Sequence, residues 1–255
     1  MKSSPCVSWG RILTVWLAFL AGARAQSAAE WITQGDGYDA QHQTKAALAA
    51  YLEAEKLGTP TAALLHRVAK QYGLSMNDEP DEAGKKAVGG KALGYALRSV
   101  AADPKDADAH VALAICYGRM VRFQETKVQI QYSRLIRQSA ETGLQLNPRH
   151  ELGWYVLGAW HYGMAGLNPV KRTLARVIYG TLPSASYAEA AACFQRAIAL
   201  NPSRMASYVD LGLTYLEMEN ETAARNMLAK GLALPDRERD DPLVRARGQQ
   251  ALARL

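Results

Sequence analysis

Residues 31–60 carry Trp31, Gly35, Tyr38, Ala47, Tyr51, Ala54 and Pro60 in that order. The same succession of bulky, small and aromatic residues returns near the C-terminus as Tyr208, Leu211, Gly212, Tyr215, Ala224, Leu228, Gly231 and Pro235. Three more copies lie between, each split by extra residues. The first has Leu65, Ala69 and Tyr72, then Ala92, Ala96 and Pro104. The second has His110, Ala114 and Tyr117, then Ile136, Ala140, Gly143 and Pro148. The third has Trp154, Leu157 and Gly158, then Ala190, Phe194, Ala197 and Pro202. The additions amount to about 11, 10 and 20 residues beyond a repeat of about 34. The physics of the pattern is steric. Small residues let two antiparallel helices touch, aromatic rings fill the gaps between neighbouring pairs, and proline cannot continue a helix and so starts the next unit.

No stretch alternates with a two-residue period, and apolar residues recur at three- and four-residue steps instead. This is the pattern of the tetratricopeptide repeat. It predicts an all-α, tetratricopeptide-type α-solenoid of about five helical hairpins with elongated turns. Asp240 to Leu255 predicts a final helix, with Pro242 in its first turn and Arg245 and Arg247 on its exposed side, which caps the open end.

The first 25 residues have a different character. Lys2 and Arg11 precede the apolar run Ile12 to Ala21, and Ala23-Arg24-Ala25 offers a small-x-small cleavage site. That order predicts a secretory signal peptide over 1–25, with the solenoid domain over 26–255. The apolar run is short for a membrane span, which needs about 20 residues. The expected location is across the inner membrane, in a periplasm, with an uncleaved N-terminal anchor as the alternative. Loss of Lys2, Arg11 and Arg24, with no acidic residue beside them, takes the formal charge from +6 to +3. So small a basic excess does not argue for nucleic acid.

Catalytic patterns are missing. There is no Gly-rich phosphate loop, no His-Glu-x-x-His, no Gly-x-Ser-x-Gly and no Cys-x-x-Cys, so no enzyme, metal or cofactor is expected. His161, between Trp160 and Tyr162, is expected to be a packing or hydrogen-bonding residue. Asp36 and Asp39 read as one exposed turn, and Glu217, Glu219 and Glu221 as the acidic turn of the last hairpin. Cys116 and Cys193 fall at positions normally buried. Inert thiols are expected there, with a disulfide as the alternative an oxidising compartment allows.

Several segments point to a particular family. They are Lys127 to Gln131, Leu146 to Pro148, Leu157 to Tyr162, the basic stretch Lys171 to Arg176, Pro183 to Ala190, and the trailing ALPDRERDD. Together, over about residues 105–245, they make the chain similar to the regulator of microtubule dynamics family. That family's animal members are associated with microtubules, or with contacts between organelles. The resemblance implies a helical groove that receives a protein segment or a lipid.

In tetratricopeptide hairpins, positions 2, 5, 9 and 12 of the first helix line the concave face. Position 5 holds Ile32, His66, Val111, Tyr155 and Val209, and position 9 holds Asp36, Lys70, Ile115, Ala159 and Leu213. The Lys and Asn of a carboxylate clamp are absent from these positions. The last three hairpins instead predict an apolar trough of Val111, Ile115, Tyr155, Ala159, Tyr162, Val209, Leu213 and Leu216. It would hold an apolar or amphipathic segment of a protein partner at the cell envelope; the alternative occupant is a lipid. The inserted helix could also cover the trough as extra core. Within the insertion Leu167, Val170, Leu174, Val177 and Ile178 make a stripe, with Lys171, Arg172 and Arg176 mostly off it. That is a lid or a membrane-surface helix, or a packed helix with a solvated basic face. Arg119, Arg122 and Lys127 would extend the basic rim.

Overall fold

The computed structural model describes residues 26–179 and 184–255. The predicted signal segment and Pro183 lie outside the described residues. Among the described residues there are twelve α-helices and no strand. They are α1 (Ala28–Ala40), α2 (Thr44–Lys56), α3 (Ala62–Ser75), α4 (Glu82–Ala102), α5 (Ala107–Val121) and α6 (Thr126–Leu146). Then follow α7 (Glu151–Ala165), α8 (Pro169–Tyr179), α9 (Tyr187–Leu200), α10 (Met205–Glu217), α11 (Glu221–Leu232) and α12 (Asp241–Leu252). Five antiparallel pairs form in order: α1 with α2, α3 with α4, α5 with α6, α7 with α9, and α10 with α11. Helix α12 packs on α10 and α11 and closes the end, and α8 is the insertion in the fourth pair.

The extra residues of the second and third hairpins lengthen helices. Both α4 and α6 run for 21 residues, against 13 in α2 and 14 in α9. The first and last hairpins have the shortest turns, at residues 41–43 and 218–220. Each turns through one non-glycine residue with a left-handed backbone, His42 (φ 59°) and Glu219 (φ 57°).

A recurring device ends three of the second helices. Asp103, Asn147 and Asn201 each stand just before a proline and each leaves the helical backbone region as the C-cap, with φ of −146°, −138° and −140°. A residue before proline is sterically pushed out of the helical region, so the helix stops there. Each side chain then accepts from the backbone N–H two residues on, that of Lys105, Arg149 and Ser203. The next first helix begins within a few residues, capped by Asp106 in α5 and His150 in α7.

Small residues set the helix spacing. Ala47, Ala69, Ala114, Ala140, Ala190, Ala197 and Ala224 are fully buried. A Cβ on Gly35 would lie 2.4 Å from the Tyr51 ring, and one on Gly158 2.9 Å from the Phe194 ring. The glycine and the aromatic of one hairpin therefore interlock, and this contact is what the spacing encodes. Cys116 and Cys193 are both buried and unbonded. Burial pushes their thiols up to about 12 and about 11.

Candidate functional site

The first helices α1, α3, α5, α7 and α10 form the inner wall of the solenoid. Neighbours along this wall are tied by charge and hydrogen bonds. Asp36 accepts from the Tyr51 hydroxyl at 2.7 Å and from Arg67, and Asp39 pairs with Lys70 and Gln71. The two carboxylates are thus not one free turn but clasps from α1 onto α2 and α3. Farther along, the Tyr155 hydroxyl of α7 donates to Asp210 of α10 at 2.7 Å, and Arg247 of α12 pairs with the same carboxylate at 2.6 Å. Burial raises the Asp210 pKa, against the opposing pull of Arg247 and the Tyr155 hydroxyl. Burial, with Asp210 beside it, raises the Tyr155 phenol well above its ordinary value.

The eight residues expected to line one trough do not share one surface. Val111 is 1% exposed, and its methyl group fills the space over Gly143 and Gly153. Val209 is 0% exposed and sits against Gly231 and Gly248. Both are withdrawn from any ligand, because glycines on the adjacent helices bring those backbones onto them. Ile115 packs partly buried against the core of α3 to α7, and Leu213 and Leu216 pack against the core of α10 to α12. Tyr155 lies on Phe194 with 5.7 Å between ring centres. Tyr162 meets Tyr187 edge-on at 5.5 Å, and the Tyr187 hydroxyl donates to Glu217. Ala159 alone of the eight is exposed.

Ala159 marks where open apolar surface does occur. A cleft of about 220 Å³ lies between α6 and α7, lined by Val121, Ile130, Ile136, Trp160, Met164 and Leu167. Ala159 and Gly163 form part of its α7 side, and Lys171 of α8 reaches its edge. Ser133 accepts from the Trp160 indole N–H at 3.0 Å, which fixes the ring as a wall of the cleft. His161 sits beside it, half-buried, with Nδ1 3.4 Å from Glu189; burial lowers its pKa. Of the expected site residues only Ala159 and Lys171 touch this cleft, since five of its twelve lining residues come from α6, a second helix outside the concave-face positions.

Helix α8 borders the cleft and packs on α6. Asn168 accepts from the Lys171 N–H and opens it, with Pro169 at the first helical position, where a missing N–H costs nothing. Lys171, Arg172 and Arg176 are exposed. The apolar stripe is not turned inward: Val170 is 78% and Val177 76% exposed. The helix therefore shows water both a cationic and an apolar surface and carries no acidic residue. The side chain of Ile178 is outside the described residues. Arg119 does not join this basic rim, because it is engaged with Asp240 at 2.8 Å.

That pairing belongs to a larger feature. The segment between α11 and α12 returns along the inner wall. Glu238 pairs with Arg204 at the start of α10, and Arg204 also pairs with Glu151 at the start of α7. Arg239 pairs with Asp78 and donates to the Leu74 carbonyl at the end of α3. Asp240 accepts from Arg119 of α5 and from Asn77, both at 2.8 Å. Three consecutive side chains thus bind three different first helices or their ends, α10, α3 and α5, and Arg204 extends the chain of contacts to α7.

Among the described residues, no group of three or more His, Cys, Asp or Glu is placed to hold a metal ion. Among the same residues, no helix is long and apolar enough to cross a membrane.

The sequence profile of the family described as Regulator of microtubule dynamics protein 1-3 matches residues 31–255. The chain is 28% identical to Regulator of microtubule dynamics protein 1 of Bos taurus over 193 residues, 75% of this chain and 61% of that protein. It is 25% identical to Regulator of microtubule dynamics protein 3 of Xenopus laevis, over 69% of this chain and 38% of that one. The chain thus spans about three-fifths or less of the length of these relatives. Among solved structures it is similar to a thermophilic TPR protein of Thermus thermophilus, with TM-score 0.63, 18% identity, and coverage of 89% of this chain and 99% of that one. It is also similar to pilF of Pseudomonas aeruginosa, with TM-score 0.52, 14% identity, and coverage of 89% and 87%. These two likenesses speak to the fold alone.

Proposed function

The chain belongs to the regulator of microtubule dynamics family, and from that premise we propose that it is a non-catalytic helical-repeat scaffold of the cell envelope that holds an apolar or amphipathic segment of a partner protein. The seat of that segment is the cleft between α6 and α7, with α8 as its border. One observation carries the reading: an apolar cleft lies open beside a helix whose Val170 and Val177 side chains are 78% and 76% exposed. They are the most exposed of the large apolar side chains among the described residues. A partner helix laid along α8 would cover the valines and place one side chain over Trp160 and Met164.

The test is to fill the cleft. Ala159→Trp puts an indole where the partner would sit, and Val170→Asp with Val177→Asp makes the uncovered face of α8 charged. Both variants should keep wild-type helical circular dichroism and lose partner capture by a photocrosslinker placed at Gly163. Capture that survives both changes removes the cleft from the proposal.

A second reading takes a lipid in the same place. It is favoured by Lys171, Arg172 and Arg176 beside the exposed valines, with no acid on the helix to offset them. Under it, native mass spectrometry of the purified protein finds added lipid mass that Ala159→Trp abolishes; under the first reading no such mass is present. Export across the inner membrane is part of the proposal too, and N-terminal sequencing of the mature protein would check cleavage before Gln26.

A further inference from the structure

We propose that the inner wall is a binding site for an extended protein segment carrying an acidic–basic–acidic triplet, and that Glu238, Arg239 and Asp240 of the chain itself occupy this site until such a partner displaces them. The inference does not rest on the cleft beside α8; the two sites share no residue.

The occupied site defines its own chemistry. Consecutive side chains of opposite sign meet consecutive groups of the complementary sign: Arg204, then Asp78 with the Leu74 carbonyl, then Arg119 with Asn77. The receiving groups are partly buried, with the Arg204 side chain 13% and the Arg119 side chain 29% exposed. Charges that have lost part of their water demand a partner: withdrawal of the segment takes Asp240 from Arg119 and Arg239 from Asp78, while Arg204 keeps Glu151. The order also sets the register. A slip of one residue would bring Arg239 against Arg119 or Arg204, or Asp240 against Asp78, and like charges in such a site exclude the wrong alignment.

The segment is presented, not merely adjacent. Buried Asp241 in the first turn of α12 accepts from the backbone N–H groups of Arg237 and Glu238, at 2.7 and 2.8 Å. Arg245 of the same helix pairs with Asp236 and donates to the carbonyls of Leu232 and Leu234. Its backbone is therefore held by α12, while the side-chain contacts of residues 238–240 are with α10, the end of α3 and α5. Those distant contacts can be exchanged for equal ones from another chain without unfolding the cap. A partner competes with a ligand that is already tethered, so its apparent affinity falls by the fraction of time the site is open.

The test uses the full chain with Glu238→Ala, Arg239→Ala and Asp240→Ala together, and a synthetic peptide spanning residues 233–242. The peptide should bind this variant at least about tenfold more tightly than the wild-type chain, and a peptide with residues 238–240 scrambled should not bind. Charge exchange supplies the second arm: Asp78→Arg on the same background should reject the natural peptide and accept one in which Arg239 is replaced by Asp. If the triple variant loses helical circular dichroism, Arg239→Glu alone carries the same comparison, because it is repelled from Asp78. A folded variant that ignores the peptide, or takes the scrambled one equally well, overturns the proposal. So does a wild-type dimer dissolved by the free peptide, which would assign the segment to a second copy.

Discussion

The hydroxyl of Tyr155 on α7 donates to the carboxylate of Asp210 on α10 at 2.7 Å, and this bond helps tie together the inner helices of two successive hairpins. Arg247 of the capping helix completes the group from the other side. The residue that the repeat pattern marks as a groove phenol is thus a structural tie, and its removal should be read in stability.

Tyr155→Phe keeps the ring on Phe194 and deletes the bond. Asp210 then has Arg247 as its remaining charge partner in a buried place. A loss of about 1–3 kcal/mol is expected, measured as a lower midpoint of urea unfolding with unchanged slope. Unaltered stability would mean that the hydroxyl is dispensable.

The buried phenols make the fold sensitive to alkali. Burial raises Tyr51, Tyr155 and Tyr162, the last to about 12. An unfolded tyrosine ionises near pH 10. Because the folded values are raised, their stabilising contribution is full below the unfolded value and is lost as pH climbs through the folded ones. Unfolding midpoints should therefore fall as pH rises from about 10 to about 12, and less steeply in Tyr155→Phe with Tyr162→Phe. A midpoint constant across that window would contradict this account.

Two nearby glycines should respond in opposite directions. A Cβ on Gly35 meets the buried Tyr51 ring at 2.4 Å, whose hydroxyl is held by Asp36 and cannot swing away. Gly35→Ala is expected to cost about 1–3 kcal/mol through overpacking. Nothing lies within 4 Å of a Cβ on Gly37. Gly37→Ala should gain up to about 1 kcal/mol from helix propensity. Thermal melts of the two single variants decide it.

The thiols of Cys116 and Cys193 should be silent in the native protein. Both are buried, and burial holds them in the protonated form, while the thiolate is the reactive species. Iodoacetamide labelling followed by mass-spectrometric mapping should leave both unmodified in buffer at about pH 8 and modify both in denaturant. Rapid native labelling of either would show an opening of the core.

The repeat spacing was legible because its cause is local. Gly35 facing Tyr51 and Gly158 facing Phe194 are contacts within one hairpin, so a fixed interval in the sequence records them. The candidate site was legible only in part. Lys171, Arg172 and Arg176 are exposed, because a cation on a thinly packed helix faces water whatever its neighbours do. Val111 and Val209 were misplaced because position 5 lies on the inner side of its own helix, while Gly143, Gly153, Gly231 and Gly248 decide how close the adjoining helices come. The outward turn of Val170 and Val177 was not legible either, since a stripe gives the face of a helix but not what lies opposite it.

The sequence by itself determined the five hairpins, their order and the stops at Asp103, Asn147 and Asn201, where proline forbids the helical backbone of the residue before it. The tertiary structure alone decided which part of the inner wall stays open. The curvature of a solenoid is the sum of small rotations from one unit to the next, and no single unit encodes it. That sum brings Arg239 to Asp78 across 161 positions of chain and leaves the open apolar cleft beside α8.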